Sequence, residues 1–117
     1  MNIDATHIFS VLANQVRLRC LYLVATNGEV CVCEIVEALG IPQPSASKAL
    51  NALKRAGLLR DRKDANWNYF SLNTEMPEWA VLVVDATVSG LTSSQVHTAD
   101  QNRFKRLDLR SAGPVCR

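Results

Sequence analysis

Apolar residues recur at helical spacing through the first half of the chain, and the places where that period breaks define its elements. Ile3, Ile8, Val11 and Leu12 predict a short first helix. Asn14 opens a second, in which Val16, Leu18, Leu21, Leu23 and Val24 supply a broad apolar surface, and the turn signal Asn27-Gly28 closes it. A third runs from about Cys33 to Leu39, with Ile35, Val36 and Leu39 facing inward and Gly40 ending it. Only Ile41-Pro42-Gln43 separates it from a fourth, within the stretch QPSASKALNALKRAGLL from Gln43 to Leu59. There Pro44 suits the first turn, which has an amide to spare, and Gly57 suits the position just past the end. Ala46, Ala49, Leu50, Leu53 and Ala56 form one narrow apolar stripe between them.

After Gly57 the period shortens. Leu58 to Asp61 and Trp67 to Leu72 read as two strands, with Lys63, Asp64, Ala65 and Asn66 as the hairpin loop. A last helix is predicted from about Pro77 to Leu91; Trp79, Leu82, Val83, Ala86 and Val88 give it more apolar surface than a solvent-facing helix needs. From about Ser93 the composition turns polar. The expected organisation is therefore one domain over residues 1–92 and a flexible basic tail over 93–117. Its class is mainly α with a small β-hairpin. Two helices joined by a tight Gly-containing link and followed at once by a basic hairpin form a winged helix-turn-helix. The surplus apolar surface predicts a homodimer formed through the first and last helices.

Charge sharpens this reading. The net charge is only +2, but residues 42–72 hold six basic side chains against two acidic, whereas residues 73–97 hold none against three. Cationic charge thus gathers on the fourth helix and the hairpin, which favours a polyanionic partner. Gln43, Ser45, Ala46, Ser47, Lys48, Asn51 and Lys54 are the candidate DNA-reading positions of the helix. Arg62, Lys63 and Asn66 are the candidate contacts of the wing. No apolar run is long enough to cross a bilayer and the N-terminus carries Asp4 with no basic leader, so a cytoplasmic protein with no membrane partner is expected. No general acid/base pair, nucleophile motif or phosphate loop points to an enzyme.

The four cysteines then read as thiols rather than a disulfide framework. Residues two apart on a helix point about 200° from each other, so Cys31 and Cys33 can converge only where the backbone is not yet helical. A helix start also favours thiolate, and paired thiolates select thiophilic ions. Cys20 lies in an apolar stretch and suits a core role, while Cys116 stands near the C-terminus as either a third ligand or an incidental thiol. His7 and His97 are expected at the surface.

The stretch EVCVCEIVEALGIPQPSASKALNALKRAGLLRDRKDANWNYFSL, about 44 of the 117 residues, resembles the core of the ArsR/SmtB family of winged-helix repressors. ANQVRLRCLYLV is similar to the family's second helix, and CVCE to the ELCVCDLC box of its arsenical-responsive branch. The resemblance implies a homodimeric repressor that binds an inverted repeat in double-stranded DNA and leaves it when As(III) or Sb(III), the inducer, is held by cysteine thiolates. Three departures stand out. Val36 occupies the place of the box's third cysteine, so a three-sulfur site needs another donor such as Cys116, whereas two thiolates suit a methylated trivalent arsenical. Ala49 stands where relatives often carry His, and Ala65-Asn66 where Gly-Arg is common. The acid and histidine pattern of the zinc-sensing branch is absent, since Asp85 stands alone with His97 twelve residues on. A thiol redox or persulfide switch on the same DNA-binding fold is the alternative reading. A thiol oxidoreductase or metal carrier built on Cys-X-Cys would leave the basic wing unexplained.

Overall fold

The computed structural model describes residues 3–110. In chain order they form α1 (Ala5–Leu12), α2 (Gln15–Asn27), β1 (Glu29–Cys31), α3 (Val32–Leu39), α4 (Gln43–Arg55), β2 (Leu59–Asp64), β3 (Trp67–Leu72), α5 (Glu78–Leu91) and α6 (Gln95–Arg110). The winged helix-turn-helix is present where the punctuation of the chain placed it. Asp4 and Asn14 cap α1 and α2 by accepting from the amides of Thr6 at 3.1 Å and Arg17 at 3.0 Å. Gly40, at φ 67°, turns the chain from α3 to α4 in a left-handed conformation that a side chain would resist. Pro44 lies in the first turn of α4. Ile35, Leu50, Leu53, Leu58 and Phe70 are fully buried together with Leu21, Leu23 and Val24 of α2, so α2 is the spine on which the helix-turn-helix pair α3 and α4 sits.

Three features depart from the expectation. The sheet has three antiparallel strands in the order β1-β3-β2, because Glu29–Cys31 pairs with β3 through Glu29↔Ser71, Val30↔Phe70 and Cys31↔Tyr69. The hairpin is also tighter than predicted. Lys63 and Asp64 belong to β2, pairing with Asn68 and Trp67, which leaves Ala65 and Asn66 to make the turn. Ala65 takes φ 56°, a conformation that costs a non-glycine residue about 1 kcal/mol.

The third departure is the largest. Residues 95–110, expected within a flexible tail, form helix α6, which packs on α2 and α3. Phe104 and Leu107 are buried, and so are two polar residues, Asp100 and His97. Asp100 accepts from Arg19 Nε and Nη2, each at 2.9 Å, and from Arg103 Nη2 at 2.6 Å. The same two arginines donate to the last carbonyls of α3: Arg19 to Leu39 at 3.3 Å and Arg103 to Ala38 at 2.6 Å. Asn27 and Gln101 exchange side-chain hydrogen bonds at 2.7 and 2.9 Å. His97, placed at the surface by sequence reasoning, is instead buried with its ring edge against Tyr22 and its Nδ1 2.9 Å from Ser94 Oγ. Burial lowers its pKa against the upward pull of Asp100. His7 is exposed, as expected.

Candidate functional site

Helix α4 presents the polar face that its pattern predicts. Gln43, Ser45 and Lys48 are exposed, and Ser47 and Asn51 are half-buried. Asn51 donates to the Ser47 carbonyl at 3.0 Å, which fixes its amide on the helix surface. Ala46 is corrected: it lies on the inward stripe at 0% exposure, in the core and away from any partner surface. Two of the candidate cations are engaged within the protein. Lys54 pairs with Asp61 at 2.9 Å. Arg62 makes a two-pronged contact with Glu29, 2.8 Å at each nitrogen, and lies over the Tyr69 ring at 4.6 Å. That pair exists because β1 brings Glu29 to the sheet, a long-range contact that local charge counting misses. Lys63 and Asn66 stay exposed at the hairpin tip.

Arg17 joins this surface, which sequence reasoning did not anticipate. With Asn14, Val16, Ser45, Lys48 and Ala49 it lines a groove of about 220 Å³ between α2 and α4. Its Nε is anchored on the Val11 carbonyl at 2.6 Å. The one signal available was its position three residues after the Asn14 cap, where a helix N-terminus already favours anions.

Cys31 and Cys33 lie together at the start of α3. Cys31 is its N-cap: β1 keeps that residue extended, its sulfur faces the Glu34 amide, and the Glu34 carboxylate accepts from the Cys31 amide at 2.9 Å. Burial pushes the Cys31 thiol up to about 11, outweighing the Glu34 amide that favours thiolate. The activation expected from a helix start is therefore not realised at Cys31. Cys33 is partly exposed and disulfide-bonded. Cys20 is fully buried in the core, its thiol pushed up to about 12 by desolvation, in keeping with a packing role. Cys116 lies outside the described residues. Cys31, Val32 and Cys33 form one wall of a cleft of about 370 Å³ whose other walls are Gln43 of α4 and Asn66, Trp67 and Asn68 of the wing. Among the described residues no three His, Cys, Asp or Glu side chains converge to hold an ion. In their reduced forms the sulfurs of Cys31 and Cys33 are soft donors that fit a thiophilic centre.

These thiols make stability depend on alkaline pH. Unfolded cysteine ionises near pH 8.5, whereas Cys31 and Cys20 in the fold hold their protons to about 11 and about 12. Above pH 9 the unfolded chain binds fewer protons than the native one, so stability falls as pH rises. The urea midpoint, measured under reductant, is expected to hold to pH 8 and drop between pH 9 and 11. Cys20→Val should remove a large part of the drop, and a midpoint flat to pH 11 would contradict the assignment.

Comparison with known proteins agrees with this geometry. The family described as "Bacterial regulatory protein, arsR family" matches residues 14–61, from the cap of α2 into β2. The chain is 36% identical over 110 residues to the arsenic resistance transcriptional regulator ArsR1 of Pseudomonas putida, covering 92% of this chain and 83% of that protein. It is 38% identical over 78 residues to the arsenical resistance operon repressor of Escherichia coli, covering 67% of each. Among solved structures, a homodimeric winged helix-turn-helix DNA-binding domain from Mycobacterium bovis superposes with a TM-score of 0.62 at 28% identity, over 77% of this chain and 80% of that one. With its reading helix, wing and thiol-bearing third helix in place, the chain belongs to the ArsR family of winged helix-turn-helix transcriptional regulators.

Proposed function

We propose that two copies of this chain form a repressor that holds an inverted-repeat operator and releases it when trivalent arsenic or antimony is bound by Cys31 and Cys33, with Cys116 as candidate third donor. The supporting observation is the shared cleft: the two cysteines face Gln43 of the reading helix and Asn66 of the wing across one space. Gln43, Ser45, Ser47, Lys48 and Asn51 supply donors and acceptors to base edges and nearby phosphates, and Lys63 and Asn66 steady the wing on the backbone. Lys54 and Arg62 act first as internal struts, through Asp61 and Glu29. The arsenic or antimony supplies a thiophilic centre that holds sulfurs together. Cys31 and Cys33 project apart once helical geometry begins, so drawing them together loosens the first turn of α3 and the Glu34 capping contact. Because α3 packs on α4, the reading helices of the dimer then shift in spacing.

The test uses a duplex selected in vitro by the unliganded, reduced protein. Arsenite should weaken binding of the wild type about a hundredfold, a coupling of about 2.7 kcal/mol. The double variant Cys31→Ser, Cys33→Ser should bind the duplex within twofold of wild type and ignore arsenite. A double variant that still releases DNA overturns the cysteine assignment. The disulfide at Cys33 favours one second reading, a thiol redox switch. On that reading peroxide alone releases DNA and arsenite does not.

A further inference from the structure

Arg17 is held between two helices. The Asn14 side chain accepts from its amide at 3.0 Å, which fixes it in the first turn of α2. Its Nε donates to the Val11 carbonyl at 2.6 Å, and its Nη2 reaches the Ser10 carbonyl at 3.5 Å. Both carbonyls belong to the last turn of α1, where a cation is favoured by the helix dipole. Helix α1 has no basic residue of its own there, so Arg17 supplies that cation from the next helix. Anchoring spends only part of the guanidinium fork. N–H groups remain for a ligand in the groove of about 220 Å³ that Arg17 lines with Asn14, Val16, Ser45, Lys48 and Ala49.

The groove has the electrostatics of an anion site. No Asp or Glu among the described residues lines it. Arg17 and Lys48 reach it from different helices, and among the described residues neither is paired with an acid, whereas Arg19, Lys54, Arg62 and Arg103 are each held by one. The first turns of α2 and α4 carry no acid either, so no local carboxylate offsets the positive ends of these helices. Ser45 and Lys48 also belong to the exposed polar face of α4, so an anion in the groove sits beside whatever that face reads.

We infer that the groove holds one backbone phosphate of the bound DNA, gripped by Arg17 of α2 and by Ser45 and Lys48 of α4. This deepens the proposed function and rests on it. Helix α2 lies outside the helix-turn-helix pair, so the contact adds a third element to an interface otherwise made by α4 and the wing. DNA is the occupant rather than free phosphate because the groove runs into the polar face of α4 and shares two residues with it. A phosphate carries no base identity, so the grip sets register and affinity and not sequence. With its guanidinium already fastened to α1, Arg17 loses little side-chain freedom when the phosphate arrives.

Binding is read by anisotropy of the reduced full chain over a salt series, on the duplex that it selects in vitro. Arg17→Gln should weaken binding about tenfold per subunit and lower the slope of log K against log salt by about one per subunit. The loss should be equal, within about twofold, on a scrambled duplex. Arg17→Lys keeps the charge but lacks the Nε that holds Val11, and should retain the slope. A residue that merely caps α1 gives another pattern: a lower melting temperature in both variants and an unchanged slope in both. That pattern would overturn the inference. Duplexes carrying single neutral methylphosphonates then locate the contact. One position in each half-site should weaken the wild type and have no further effect on either Arg17→Gln or Lys48→Gln. Lys48 is exposed, so Lys48→Gln keeps this arm readable even where Arg17→Gln folds poorly. Different positions for the two variants, or no such position, would remove the shared site. Sodium phosphate in place of chloride at equal ionic strength should leave the affinity within about twofold, and strong competition would overturn DNA as the occupant. A wild type that selects no duplex sinks the proposed function itself. A wild type that binds its duplex with a slope indifferent to Arg17→Gln sinks this inference alone.

Discussion

Replacing Leu82 with Glu is expected to leave the subunit folded, halve its mass in solution and weaken operator binding at least a hundredfold. Leu82 is 59% exposed on α5, and Phe9 of α1 and Trp79 of α5 are 56% and 38% exposed. Both helices lie against α2, with Ala80 and Val84 of α5 turned inward. One subunit therefore leaves two apolar helices half covered, which is what a self-complementary interface between copies requires. A carboxylate there meets water in the monomer at almost no cost and meets apolar surface in the dimer at several kcal/mol. The DNA consequence follows from geometry. On the proposed reading α4 of each subunit spans one half-site and a dimer joins two of them about one helical turn of DNA apart, so losing the pairing forfeits the second binding event. Sedimentation gives the mass and anisotropy on the selected duplex gives the affinity. A dimeric Leu82→Glu protein with unchanged affinity would remove α5 from the interface.

How far such features are visible in the sequence depends on how local their causes are. The reading pair was legible because Gly40, Pro44 and Gly57 punctuate it within a few residues and α4 carries an unbroken apolar stripe. Ala46 is the instructive error. Its spacing already placed it with Ala49 and Leu50 on the inward face, and its neighbours' polarity drew it into the DNA-contact set. Strand β1 was invisible because three residues carry no period of their own and are extended only through pairing with Tyr69, Phe70 and Ser71. With β1 hidden, the Glu29–Arg62 pair was hidden too, so Arg62 looked available for DNA. Helix α6 hides for another reason. Its inward stripe is His97, Asp100, Phe104 and Leu107, at ideal helical spacing, but half of it is polar and a hydrophobic scan passes over it. That Cys31 and Cys33 lie together at the start of α3 was legible from their spacing. The raised Cys31 pKa was not, because the burial behind it comes from the packing around α3.

Asp100 should be among the most sensitive positions in the chain, although it lines neither the cysteine cleft nor the groove between α2 and α4. Its carboxylate is at 0% exposure between Arg19 and Arg103, whose side chains are 17% and 40% exposed. Removing it in Asp100→Ala takes away the shared anion and leaves two guanidinium groups partly desolvated, a change that costs about 3–5 kcal/mol in comparable buried networks. A domain of this size is stable by about 5–15 kcal/mol, so the melting temperature should fall by about 10 °C or more. The loss is not confined to α6. Arg19 and Arg103 also hold the Leu39 and Ala38 carbonyls, so the end of α3 next to the Gly40 turn loses its anchors in the same step. Hydrogen exchange should therefore rise in α3 as well as α6. Lys105→Ala, an exposed change on the same helix, should stay within about 0.5 kcal/mol of wild type. Replacing all three charges together, Asp100→Leu with Arg19→Met and Arg103→Leu, should cost much less than Asp100→Ala alone, since the penalty comes from stranding charge rather than from losing attraction. A loss below 1 kcal/mol in Asp100→Ala would mean that α6 is not clamped to α3 through this carboxylate. A loss of the expected size would show that α6 is fixed through the buried carboxylate of Asp100.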